Sequence, residues 1–148
     1  ANSGSGQNVY KSKFSSSTNI TSTSFTDTGL ELSGFSALSA NTDFIVMFNE
    51  DRREQDWNQT FGAHFYSTDN GSNWNKLGET AGKHDNGGDS TPENLAHGVQ
   101  SAQYYISFTS GQTPRFKVQG RQASGSNNYF INYAGGIGSS IIAIKVDP

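Results

Sequence analysis

Acids and bases gather in two stretches of the chain. Glu50-Asp51-Arg52-Arg53-Glu54-Gln55-Asp56 places four carboxylates and two guanidiniums in one short segment. Glycoside hydrolysis needs two carboxyls held about 5–10 Å apart across a sugar. Mixed signs at neighbouring positions read instead as a charged, self-compensating connection over 50–59. The second stretch is His84-Asp85-Asn86-Gly87-Gly88-Asp89, with Glu93 and His97 beyond it and His64 upstream. Its spacing matches no compact zinc pattern. It does not follow an EF-hand either: the third position lacks an oxygen ligand and the glycine comes too early. No Gly-x-Ser-x-Gly elbow supports a nucleophile, and no glycine-rich loop would cradle phosphate. The expectation is a non-enzymatic binding or structural module without a metal or other cofactor.

Two further patterns have specific physical readings. Ser67-Thr68-Asp69-Asn70-Gly71-Ser72-Asn73-Trp74 is similar to the Asp box of sialidase-like propellers, a hairpin whose Asp holds the turn backbone. One copy in a chain this short predicts a structural hairpin, since Asp-Asn-Gly is sufficient turn chemistry. Arg115, Lys117 and Arg121 form a basic row on one strand face, either solvated or set against an acidic partner.

The elements around these residues are strands. Asp43–Asn49 alternates Phe44, Val46 and Phe48 with Ile45 and Met47, so both faces are apolar. Ser139–Val146 repeats the pattern: Ile142, Ile144 and Val146 on one row, Ile141 and Ala143 on the other. Both strands are expected to be central and covered on both sides. Phe61–Ser67 is a strand with Phe61, Ala63 and Phe65 inward and His64 and Tyr66 opposite. Val99–Thr109 sets Tyr104, Ile106 and Phe108 on one row. Arg115–Arg121 sets Phe116 and Val118 inward. Asp27-Thr28-Gly29 reads as a bend or bulge. Gly78–Gly98 has almost no strand signal and is expected to be a long loop, with one helical turn from Thr91-Pro92-Glu93 through Ala96. Val9–Phe14 is a candidate first strand. The boundary is drawn at a flexible arm over 1–13 and one domain over 14–148.

Composition fits this reading. The chain has 148 residues, no cysteine and a net charge of −3. Leu, Ile, Val and Phe together fall just under ~20% of the residues, the level that signals disorder when net charge is high. Charge is low here and aromatics reach 12%, so an ordered, aromatic-rich core is expected. Weak acidity argues against a nucleic-acid partner. No apolar run approaches 18 residues, so no membrane span is expected. Short strands separated by turn signals, without a 3.6-residue period, indicate an all-β sandwich or jelly roll.

Five segments carry a family resemblance: Ser24-Phe25-Thr26-Asp27-Thr28-Gly29-Leu30, Phe44–Phe48, Tyr104–Phe108, Arg115–Gln119 and Ser139–Val146. In this order they resemble the trimeric jelly-roll modules of tailed-phage virion proteins, similar in fold to the tumour necrosis factor and complement globular-head superfamily. The resemblance spans roughly residues 15–146, much of 78–98 excepted. It implies an antiparallel jelly-roll β-sandwich of about eight strands and a homotrimer. It also implies a capsid decoration (cement) protein, bound through the major capsid protein to the outside of a phage capsid and made in bacterial cytoplasm. The rows Phe44, Val46, Phe48 and Ile141, Ala143 are then assigned to the trimer interface, with the reverse assignment of rows as the alternative. Val9, Tyr10, Lys11, Lys13, Arg115, Lys117 and Arg121 are assigned to the capsid contact. The alternative role is a glycan-binding receptor-recognition head of a tail or head fibre, with Trp57, Trp74 and Tyr66 lining the site.

Overall fold

The computed structural model describes residues 8–14, 16–55, 59–83, 95–123, 129–131 and 138–146. They form ten strands: β1 (Val9–Phe14), β2 (Thr18–Ile20), β3 (Thr26–Leu32), β4 (Thr42–Gln55), β5 (Gln59–Ser67), β6 (Asn75–Lys83), β7 (Leu95–Phe108), β8 (Arg115–Gln122), β9 (Tyr129–Ile131) and β10 (Ser139–Val146). All named strand pairs are antiparallel. One sheet is organised on β4. Its full length pairs β7 on one edge. The other edge takes β10 along residues 43–49 and β9 along 52–54. β1 extends the sheet beyond β10, and β2 beyond β9. The second sheet runs β3-β8-β5-β6.

Between the sheets lies a core of Leu30, Leu32, Phe35, Phe44, Val46, Phe48, Ile106, Phe108, Phe116, Val118, Ile141 and Ala143. Its rings meet edge to face: Phe44 on Phe108 at 5.7 Å between centroids, Phe35 on Phe116 at 5.8 Å, Phe108 on Phe116 at 6.0 Å. Such pairs contribute about 0.5–1.5 kcal/mol each beyond the area they bury. The alternations read in β4, β7 and β8 hold, with Phe44, Val46, Phe48, Ile106, Phe108, Phe116 and Val118 all buried. The bend at Asp27–Gly29 is a bulge: the β3–β8 register shifts between Asp27 and Glu31, and Gly29 has φ 86°.

Four expectations are corrected. Val9–Phe14 is a full strand of the first sheet, so the folded domain begins at least by Val9 rather than at 14. Glu50–Gln55 is not a connection but the second half of β4. The loop expected over 78–98 is strand at both ends, to Lys83 in β6 and from Leu95 in β7. Leu95 and Ala96 are therefore strand rather than helix, and residues 91–94 of the expected turn lie outside the described residues. In β5 the rows are reversed: His64 stacks on Phe48 and Tyr66 meets Phe108 inside, while Phe61 and Phe65 lie outside. The outward rings Phe61 and Phe65 are covered by Arg121 and Lys117 of β8.

Candidate assembly face

The outer surface of the first sheet follows from its register. Side chains directly opposite on neighbouring strands share a face. One outward row reads Val9, Ile144, Ile45, Tyr105 across β1, β10, β4 and β7. The next reads Lys11, Ile142, Met47, Gln103, and the third Lys13, Ser140, Asn49, Ser101. The third row is tied by hydrogen bonds: Asn49 Nδ2 donates to Ser140 Oγ at 3.1 Å, and Ser101 Oγ donates to Asn49 Oδ1 at 2.9 Å. Ile45, Met47, Ile142 and Ile144 are only half-buried by their own chain. The exposed large hydrophobics among the described residues are Val9 (48%), Val99 (45%) and Tyr105 (61%). All three stand on this face, Val99 opposite Asp51 on the outward register of β4. A groove of about 370 Å³ beside β1 is lined by Lys11, Lys13, Asn49, Val99, Ser140 and Ile142, among others.

The residues assigned to a trimer interface do not lie on this outer face. Phe44, Val46, Phe48, Ile141 and Ala143 are wholly buried in the chain's own core. The row that faces outward is instead Ile45 and Met47 of β4 with Ile142 and Ile144 of β10. Two apolar rows on one strand look alike in sequence. Which is inward depends on where the aromatic residues of the opposite sheet, such as Phe116, lie.

The residues assigned to capsid contact divide. Val9, Lys11 and Lys13 are exposed on the outward face of β1. Tyr10 instead stacks on Phe35 at 4.2 Å and belongs to the core margin. The basic row of β8 stands on the outside of the second sheet, and its charges are engaged within the chain. Arg115 pairs Glu31, and Lys117 pairs Asp27 at 2.9 Å. Lys117 also lies 4.5 Å from the Trp74 ring, and Arg121 lies 3.9 Å from the Phe61 ring. Such cation–π contacts keep half-buried rings partly covered at a sheet surface. Of the aromatics assigned to a glycan site, Tyr66 is turned to the core, Trp74 is capped by Lys117, and Trp57 is outside the described residues.

The hairpin at Asp69 is built as its sequence implies. Asn70 and Gly71 have φ 56° and 91°, the left-handed pair that a tight hairpin turn needs. Asp69 Oδ1 accepts from Ser67 Oγ at 2.7 Å and from the Asn73 backbone at 2.9 Å, and Oδ2 accepts from Asn73 Nδ2 at 2.6 Å. These bonds, that from the Asn73 side chain foremost, lower the carboxyl to about 2.

Sequence reasoning missed a buried polar cluster between the sheets. Glu50, Arg52 and His64 are buried at this end of the sandwich. Arg52 donates to both Glu50 oxygens at 3.0 Å. Thr80 Oγ1 donates to Glu50 Oε2 at 3.0 Å. His64 Nε2 stands 3.0 Å from Glu50 Oε2 and its Nδ1 2.9 Å from the Tyr104 hydroxyl. An ionised carboxylate only accepts, so Nε2 carries a proton, and in the neutral ring Nδ1 accepts from Tyr104. Burial would raise the Glu50 carboxyl, but the Arg52 charge and the His64 hydrogen bond together hold it below its usual value. Two glycines make the room. A β-carbon at Gly62 would collide with the Glu50 carboxylate and the Arg52 guanidinium, and one at Gly78 would sit 2.6 Å from the Tyr104 oxygen. The available signal was the in-phase spacing of Glu50 and Arg52 with Phe44, Val46 and Phe48. Burial together with the nearby Glu50 charge raises the Tyr104 phenol. That opposes a nucleophilic tyrosine.

No protein-family model and no curated protein matches the sequence. Solved structures do match by shape. Eiger TNF from S. frugiperda superposes with a TM-score of 0.53 over 94% of this chain and 92% of that one, at 9% identity. At that identity the likeness shows the fold, a tumour necrosis factor-like jelly-roll sandwich.

Proposed function

We propose that the chain is a structural assembly module, a non-enzymatic homotrimer formed through the open face of β1, β10, β4 and β7. Its proposed setting is the outer surface of a phage capsid, bound to the major capsid protein as a decoration protein. One observation carries the assembly reading: Val9, Val99 and Tyr105 are all exposed on the same face, beside half-buried Ile45, Met47, Ile142 and Ile144. An apolar face of this kind, rimmed by polar residues such as Lys13 and Asn49, marks an interaction surface. The trimeric order and the capsid setting are supported by the sequence resemblance over residues 15–146. On this reading the buried cluster is a structural tie, and the hairpin at Asp69 is scaffold.

Cosedimentation with phage capsid shells tests the setting. Saturable binding to shells, with a gain in shell stability, is the expected result. Binding to a glycan array that is lost in Trp74→Ala, without shell binding, would replace it with the receptor-recognition role.

A further inference from the structure

The assembly face has two long edges that differ in chemistry. The β1 edge presents Val9, Lys11 and Lys13, all exposed. Among the described residues neither ammonium has a carboxylate partner, whereas Lys76, Arg115 and Lys117 do. Toward the β7 edge stand Asp43, on β4, and Tyr105. The Tyr105 hydroxyl donates to Asp43 Oδ2. That bond, followed by one from Ser107, lowers the Asp43 carboxyl below the usual carboxylate range. The other carboxylate on this register, Asp51, is buried and accepts from the Gly138 backbone at 3.2 Å. Asp43 is therefore the accessible anion of the face among the described residues. Between cationic edge and anionic edge lies the strip of Ile45, Met47, Ile142 and Ile144.

We infer that neighbouring copies meet by opposite edges, the β1 lysines of one copy against Asp43 and Tyr105 of the next. The inference rests on the proposed assembly and names how the copies pair. A like-edge contact would set Lys11 and Lys13 against their own counterparts, and like charges across an interface are costly. An opposite-edge contact matches charge. It also matches apolar surface, because the row that ends in Val9 on one edge ends in Tyr105 on the other. Two different patches meeting head to tail is the arrangement that closes into rings.

Cysteine pairing tests this cleanly, since the chain has no cysteine of its own. Lys11→Cys/Asp43→Cys, mildly oxidised, should give disulfide-linked multimers, while Lys11→Cys alone should stay uncrosslinked. A charge swap supplies a readout that does not depend on disulfide geometry. Asp43→Lys should weaken association by about tenfold or more, and adding Lys11→Asp and Lys13→Asp should restore most of it. Efficient crosslinking of Lys11→Cys alone would overturn the inference, as would charge reversals without rescue in a wild-type oligomer. A wild-type chain that is monomeric throughout would remove the assembly as well. That outcome is distinguishable, because it is read on the unsubstituted protein.

Discussion

Glu50 is wholly buried, yet Arg52, His64 and Thr80 all direct hydrogen bonds at its carboxylate, so β4, β5 and β6 are tied to one side chain. Removing one partner of such a buried pair leaves an uncompensated charge. Glu50→Ala should therefore cost about 3–5 kcal/mol, read from denaturant unfolding. Gly62→Ala adds one methyl where the carboxylate and guanidinium stand, and should cost about 1–3 kcal/mol. The pH response follows from the lowered Glu50 carboxyl. As pH falls, the unfolded chain takes up the Glu50 proton first, near its ordinary value of about 4.3. Stability from this group is complete above that pH and is lost as pH drops through the folded value. Thermal unfolding from pH 6 to pH 3 should show a steeper fall in Tm for wild type than for Glu50→Gln.

At the scale of elements, the hairpin between β5 and β6 depends on Asp69 holding Ser67 and Asn73. Asp69→Ala should raise amide exchange at Gly71 and Asn73 with little change in the core of β4, measured by hydrogen exchange. This hairpin was legible in sequence because turn chemistry is local: Asp-Asn-Gly specifies left-handed backbone without help from the rest of the fold. The bulge at Gly29 was legible for the same reason. The second half of β4 was not. Glu50 and Arg52 continue the inward phase of Phe44, Val46 and Phe48, but their burial depends on His64 and Thr80 from strands distant in sequence. The row assignments of β4, β5 and β10 failed similarly. Alternation gives two rows per strand, and only the opposite sheet decides which is inward. For Phe61 and Phe65 the outward choice is supported by Arg121 and Lys117 of the neighbouring strand.

For the whole molecule, short strands with apolar alternation and no helical period were enough to give an antiparallel sandwich, and the structure is a tumour necrosis factor-like jelly roll. The outer apolar face was legible only as a second apolar row on β4 and β10, because alternation alone does not say which row is outward. The proposed use of that face rests on Val9, Val99 and Tyr105 lying together outside, whereas Phe44 and Ile141 are core. Tyr105→Ser with Ile142→Ser should shift the protein to monomer while the near-ultraviolet spectrum of the core stays native, because neither residue belongs to the core cluster. The most direct measurement of the account is the solution mass of the unsubstituted chain by light scattering at micromolar concentration. The account predicts three times the chain mass of 15.9 kDa. A monodisperse species at the mass of one chain would contradict it.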